Sequence, residues 1–99
     1  MRMMLTINIP TEAGNRAIKD GSLPKILEAT ISKLRPEAAY FLADSGLRSA
    51  IIFFELREAS DIPAIVEPLF LGLEAEVELV PVMNAEDLKL GLGAAMKAM

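Results

Sequence analysis

The chain has no cysteine, no histidine and no tryptophan, and a single tyrosine among its 99 residues. Without cysteine there is no disulfide, no thiolate nucleophile and no thiolate-held metal or iron–sulfur cluster, a composition that fits a reducing, cytoplasmic setting. Without histidine the commonest general base and metal ligand near neutral pH is also gone, so neither a metal site nor a resident cofactor is expected. Any chemistry falls to carboxylates, lysine, tyrosine and hydroxyls.

Positive charge is scarce as well. Ten basic residues against fourteen acidic ones leave a formal net charge of −4, which disfavours nucleic acid and anionic membrane as partners. No window approaches the ~18 consecutive apolar residues of a spanning helix. Thr6 and Asn8 interrupt the apolar start, and no small-residue cleavage site follows Pro10, so a signal peptide is not expected.

What the chain does have is apolar side chains, 53% of the total. The length suits one domain, 1–99, divided into a core over 1–83 and a C-terminal helix over 84–99. The stretch that organises it is Arg48 to Leu56, a strand with large apolar groups on both faces. Successive strand side chains alternate, so Ala50, Ile52, Phe54 and Leu56 form one row and Ser49, Ile51, Phe53 and Glu55 the other.

The elements around it follow from period and punctuation. Met3, Leu5, Ile7 and Ile9 alternate with Arg2, Met4, Thr6 and Asn8 in a first strand that Pro10 stops, with Thr11 as the expected helix cap. Helical spacing runs from Glu12 to Lys33, broken near Gly21, where Ser22 is the expected cap of a second segment with Pro24 in its first turn. Glu37 to Ala43 reads as a strand, and Asp44-Ser45-Gly46 as the hairpin turn into Arg48 to Leu56. Ser60 or Asp61 caps a further helix in which Pro68 is expected to cause a bend or early end before Gly72 stops it. Glu74 to Val82 is a last strand, with Pro81 marking a sheet edge. Asn84, three residues before Asp87, starts a tail helix weakened by Gly91 and Gly93.

Strand, helix, strand, strand, helix, strand is the ferredoxin-like βαββαβ order of an α+β fold. Right-handed crossovers put the main helices on one face of an antiparallel sheet, with the first strand central. The other face then carries Met4, Thr6, Asn8, Tyr40, Leu42, Ile51, Phe53, Val80 and Val82. So much apolar surface predicts a homodimer with sheets face to face. The rival solution is that the tail helix swings under the sheet.

The chain resembles the dimeric α+β barrel superfamily and, within it, a group of uncharacterised small bacterial domains. The likeness lies in Asn15 to Pro24, Pro36 to Phe41, Gly46 to Ser49, Glu67 to Phe70 and Pro81 to Leu88. It implies a dimeric barrel and no particular reaction. Members of the superfamily include haem-degrading enzymes with a histidine ligand and nearby tryptophan, and monooxygenases with a cavity tryptophan; this chain has neither residue.

Pairing of the first and last strands would bring Thr6 near Glu78 and Asn8 near Glu76. With Tyr40, Phe53 and Glu55 these form a candidate pocket for a small apolar or aromatic molecule, Thr6, Asn8, Tyr40, Phe53, Glu55 and Glu78, in which a buried carboxylate would serve as a general base. No catalytic residue is assigned. The alternative is a structural or protein-interaction module in which Glu55, Glu76 and Glu78 form a solvated rim. Arg48 to Phe54 lacks the glycine–aromatic pattern of an RNA-binding sheet. The six methionines, Met1, Met3, Met4, Met83, Met96 and Met99, come without soft-ligand spacing and read as packing groups.

Overall fold

Alternation in the first strand places Met3, Leu5, Ile7 and Ile9 on one side of the sheet, and that side is where the core forms. In the computed structural model, which describes all 99 residues, the chain runs β1 (Arg2–Ile9), α1 (Thr11–Asp20), α2 (Ser22–Leu34), β2 (Ala38–Asp44), β3 (Leu47–Glu55), a 3₁₀ turn at Ala59–Asp61, α3 (Ile62–Leu73), β4 (Glu76–Pro81) and α4 (Ala85–Ala98). The four strands are antiparallel in the order β2-β3-β1-β4, so β1 is central and β4 an edge. This is the ferredoxin-like α+β architecture. Leu5, Ile7, Ile52, Leu69 and Leu73 are fully buried between the sheet and α3, with Phe54 beside them.

The joint between α1 and α2 forms at Gly21, whose φ of +79° is a left-handed conformation that glycine enters without steric cost. Neither of the hydroxyl caps expected at the starts of α1 and α2 is made. Thr11 already lies within α1, with Pro10 before it, and Ser22 lies within α2. The capping role falls instead to Asp20, whose carboxylate accepts the Ser22 N–H at 2.8 Å. Hydrogen bonds from Ser22, its hydroxyl first and its backbone second, hold the Asp20 carboxyl below the ordinary carboxylate range.

The hairpin between β2 and β3 closes on the pair Asp44 and Leu47. Its two loop residues, Ser45 and Gly46, have φ of +53° and +80°. Two positive φ angles define the turn class whose twist matches that of the flanking strands.

Pro68 does not end α3, which continues through Leu73. A proline inside a helix leaves the carbonyl four residues back without its N–H donor. Here that carbonyl is Ala64, and the Lys33 ammonium of α2 donates to it at 2.8 Å. Gly72 is likewise inside the helix and is not its stop; a Cβ there would lie 2.6 Å from Ile26 Cδ1, so its small size lets α2 and α3 approach. The helix stops at Glu74, in the left-handed region with φ of +51°.

The tail helix does not roof the sheet. No residue of α4 is buried. The molecule extends 55 × 28 × 19 Å with a radius of gyration of 16.0 Å, above the ~13 Å of a compact chain this long. The expected Asn84 cap does form, as a reciprocal box in which Asp87 N–H donates to Asn84 at 2.8 Å and Asn84 N–H to Asp87 at 3.0 Å.

Two outcomes check this account. Lys33→Met removes the donor for Ala64 and should lower stability by about 1 kcal/mol in urea denaturation; an unchanged midpoint would show that water satisfies the carbonyl equally well. Because the Asp20 pKa is depressed in the native state, its contribution is present above the unfolded value near pH 4 and is lost as pH falls through the native one. Wild type should therefore lose its stability advantage over Asp20→Asn in that acid range, whereas a difference independent of pH would contradict the ionic origin.

Candidate functional site on the open sheet face

On the face turned away from the helices, the strand register sets side chains in rungs across all four strands. One rung is Ala38, Phe53, Met4 and Val80; the next is Tyr40, Ile51, Thr6 and Glu78; the third is Leu42, Ser49, Asn8 and Glu76. Composition changes from rung to rung. The first is wholly apolar, the second carries two hydroxyls and a carboxylate, and the third has a hydroxyl, an amide and a carboxylate.

The registers Thr6 opposite Glu78 and Asn8 opposite Glu76 are those expected from the sequence. Thr6, Tyr40 and Glu78 thus share one rung, with Asn8 and Phe53 on its two sides. Tyr40 and Glu78 occupy opposite edges, three strand spacings or about 14 Å apart. The candidate residues therefore form a strip across the sheet, not a cluster.

Glu55 stands apart. It lies two rungs, about 14 Å, from Thr6 along the strands, and its carboxylate takes the N-terminal ammonium at 2.5 Å. Glu55, Glu76 and Glu78 are all exposed, so the single chain forms no buried general base. Glu76 and Glu78 are in no ion pair; the pairs are Met1 with Glu55, Arg2 with Glu37 and Asp87, and Arg16 with Glu74.

Two features of this face come from the register and not from local pattern. The Ser49 hydroxyl donates to Asn8 Oδ1 at 2.6 Å and is buried at 6% exposure, so the polar rung is fixed in place. At the opposite end Arg2 donates to Glu37 at 2.6 Å and reaches Asp87 at 3.5 Å. The hydrogen bond and charge of Glu37 raise the Arg2 pKa further above its ordinary value. One guanidinium thereby links the approach to β2 with the first turn of α4. Strand pairing three residues out of register would have separated all these groups, which is why neither contact could be read without the fold.

Of the candidate residues, Glu55 alone borders one of four hollows in the single chain. One of about 650 Å³ lies between the end of α2 and the end of β3, beside Lys33, Arg35, Arg57 and Asp61. A smaller one of about 200 Å³ separates α2 from α3, and another of about 420 Å³ follows β4 at Met83 and Leu88. The fourth, about 450 Å³, borders Phe41 and Leu27. None of the four includes Thr6, Tyr40 or Glu78. No group of three or more acidic side chains is arranged to hold a metal ion, and no helix is long and apolar enough to cross a membrane.

No protein-family model and no curated protein sequence matches the chain. Among solved structures, the fold is similar to that of a formyltetrahydrofolate deformylase from Pseudomonas putida, with a TM-score of 0.56 and 12% sequence identity. The match covers 83% of this chain and 29% of the deformylase. The chain thus spans under a third of that protein's length, and at this identity the likeness concerns the fold alone.

The Asn8–Ser49 contact gives a direct check on the face. In a double-mutant cycle of Asn8→Ala and Ser49→Ala, the coupling should be about 1 kcal/mol; additive effects would show that the hydrogen bond adds nothing to stability.

Proposed function

We propose that the chain works as a homodimer in which two open sheet faces meet and hold a small apolar or aromatic molecule between them. The observation that supports this most is the face itself. Met4, Ile51 and Phe53, each half-buried, and Val80, 38% exposed, lie side by side on it beneath no helix of the chain, and Tyr40, 63% exposed, stands at its edge. Contiguous apolar surface of this kind on a small domain marks an interaction site.

The gradient between rungs sets the orientation of such a ligand. Its apolar body lies on Phe53, Met4 and Val80, while a polar end meets Thr6, Asn8 and Glu78. Sites that bind small molecules combine a mostly apolar lining with a few polar groups, and this face carries side chains of both kinds. The deformylase of similar fold supplies no residue to carry over at 12% identity. A second reading, a dry interaction module without a ligand, draws on one observation: Thr6, Tyr40 and Glu78 line none of the four hollows above.

The chain contains one tyrosine and no tryptophan, so Tyr40 alone reports on the face by its fluorescence. At micromolar concentration light scattering should give twice the chain mass, and dilution should expose Tyr40 to acrylamide quenching in step with dissociation. A monomeric mass with Tyr40 quenched equally at all concentrations would end the proposal. The neutral fluorophore N-phenyl-1-naphthylamine should bind the dimer, with Phe53→Ala weakening it about tenfold, the loss expected when much of a buried aromatic contact is removed. An intact dimer that takes up no fluorophore supports the interaction module instead.

A further inference from the structure

The helical layer leaves part of its own side of the sheet bare. Phe41 of β2 belongs to the helix-side row, yet it is 58% exposed. With Ile9 of β1 and Leu23 and Leu27 of α2 it lines the apolar groove of about 450 Å³. Ala43 and Arg48 place this groove at the Ile9 end of the sheet.

α4 starts at the other end, where Asp87 meets Arg2. Leu88, Leu90, Leu92 and Met96 are 46%, 67%, 54% and 73% exposed. A lone helix of 14 residues containing two glycines is marginal in water, so α4 needs a surface to pack on. Its own groove is out of reach. Phe41 is level with Ile7, about 17 Å along β1 from Arg2 and about 10 Å across the strands, whereas Leu88, Leu90 and Leu92 lie within about 8 Å of Asp87 along the helix axis.

Area points the same way. The open face, four strands wide and about six residues long, covers only about 400 Å² in projection. A stable interface takes about 800 Å² from each partner. When each copy gives one helix and receives one, two further footprints of about 200 Å² in projection apiece roughly double the contact.

We infer that α4 is an exchanged arm, whose leucines lie in the Phe41 groove of a second copy of this chain. The inference rests on the face-to-face dimer proposed above and adds to it the element that enlarges and locks it. Helix and groove are each incomplete in one chain, and each supplies what the other lacks. The Arg2–Asp87 contact and the Asn84 cap then act as the hinge from which the arm leaves its own subunit.

The absence of cysteine makes a direct test available in the full-length chain. Leu92→Cys combined with Phe41→Cys, oxidised under mild conditions, should give a disulfide-linked dimer on a non-reducing gel, while either substitution alone should not give it. Separately, Leu88→Lys with Leu92→Lys should raise the dimer dissociation constant at least tenfold and leave the circular dichroism of the core unchanged. A dimer that forms no cross-link and keeps its affinity in the lysine variant overturns the arm and leaves the face-to-face dimer standing. A wild-type chain that is monomeric at micromolar concentration overturns both.

Discussion

The two central strands carry apolar side chains toward both faces of the sheet, and the chain supplies helices for only one. Leu5, Ile7 and Ile52 are fully buried beneath α1, α2 and α3. Met4, Ile51 and Phe53 alternate with them on the same backbones and are left half-buried. A strand has a period of two, so no rearrangement within a strand hides both rows. The rows are distinguished by Thr6, Asn8 and Ser49, since a slip of one residue would drive these polar groups into the core. Ser49 and Asn8 satisfy each other by a hydrogen bond on the open side. The polar residues of that face thus determine which side the helices cover, quite apart from any ligand they meet.

The helical layer has its own requirement, which is close approach. Gly72 lets α3 approach Ile26 of α2. Gly14, where a Cβ would lie 2.7 Å from the Arg48 guanidinium and 3.3 Å from Ile9, does the same for α1 over the sheet. Lys33 then completes the α2–α3 contact by donating to the carbonyl that Pro68 leaves unpaired. A proline in α3 and a lysine in α2 thereby act as one unit. Pro68 breaks a local rule whose cost is met from a neighbouring helix, and this explains why α3 continues past it.

Period and turn chemistry made most of the fold readable. The β1 and β3 alternation, the glycine break between α1 and α2, the Asp44 to Gly46 turn and the Asn84 cap are all local signals, and each element lies within two residues of its expected place at most ends. The departures have one physical source. The caps at Thr11 and Ser22, the stop at Gly72 and the bend or early end at Pro68 rest on a residue's own preferences, and at Ser22, Gly72 and Pro68 another residue decides the outcome. Asp20 takes the capping bond, Glu74 supplies the left-handed stop and Lys33 satisfies the carbonyl. The candidate site was legible to the same degree. Which residues share the open face follows from alternation, but the separation of Tyr40 from Glu78 across the sheet, and the engagement of Glu55 by the N-terminus, depend on strand order and chain path.

The two edges of the sheet are protected very differently, and this bears on what the open face is for. β4 carries Glu76 and Glu78 outward and ends at Pro81, which are the devices that stop an edge strand from pairing with a stranger. β2 has none of them along its middle. Tyr40, Phe41 and Leu42 follow one another there at 63%, 58% and 40% exposure, apolar on both sides of the sheet. An edge strand bare on both faces is a hazard unless something covers it. The face-to-face contact would shield Tyr40 and Leu42, and only an element reaching round the edge would shield Phe41. The asymmetry of charge along the two edges therefore leaves β4 suited to the solvent boundary and makes β2 the side at which the proposed dimer would place its second copy.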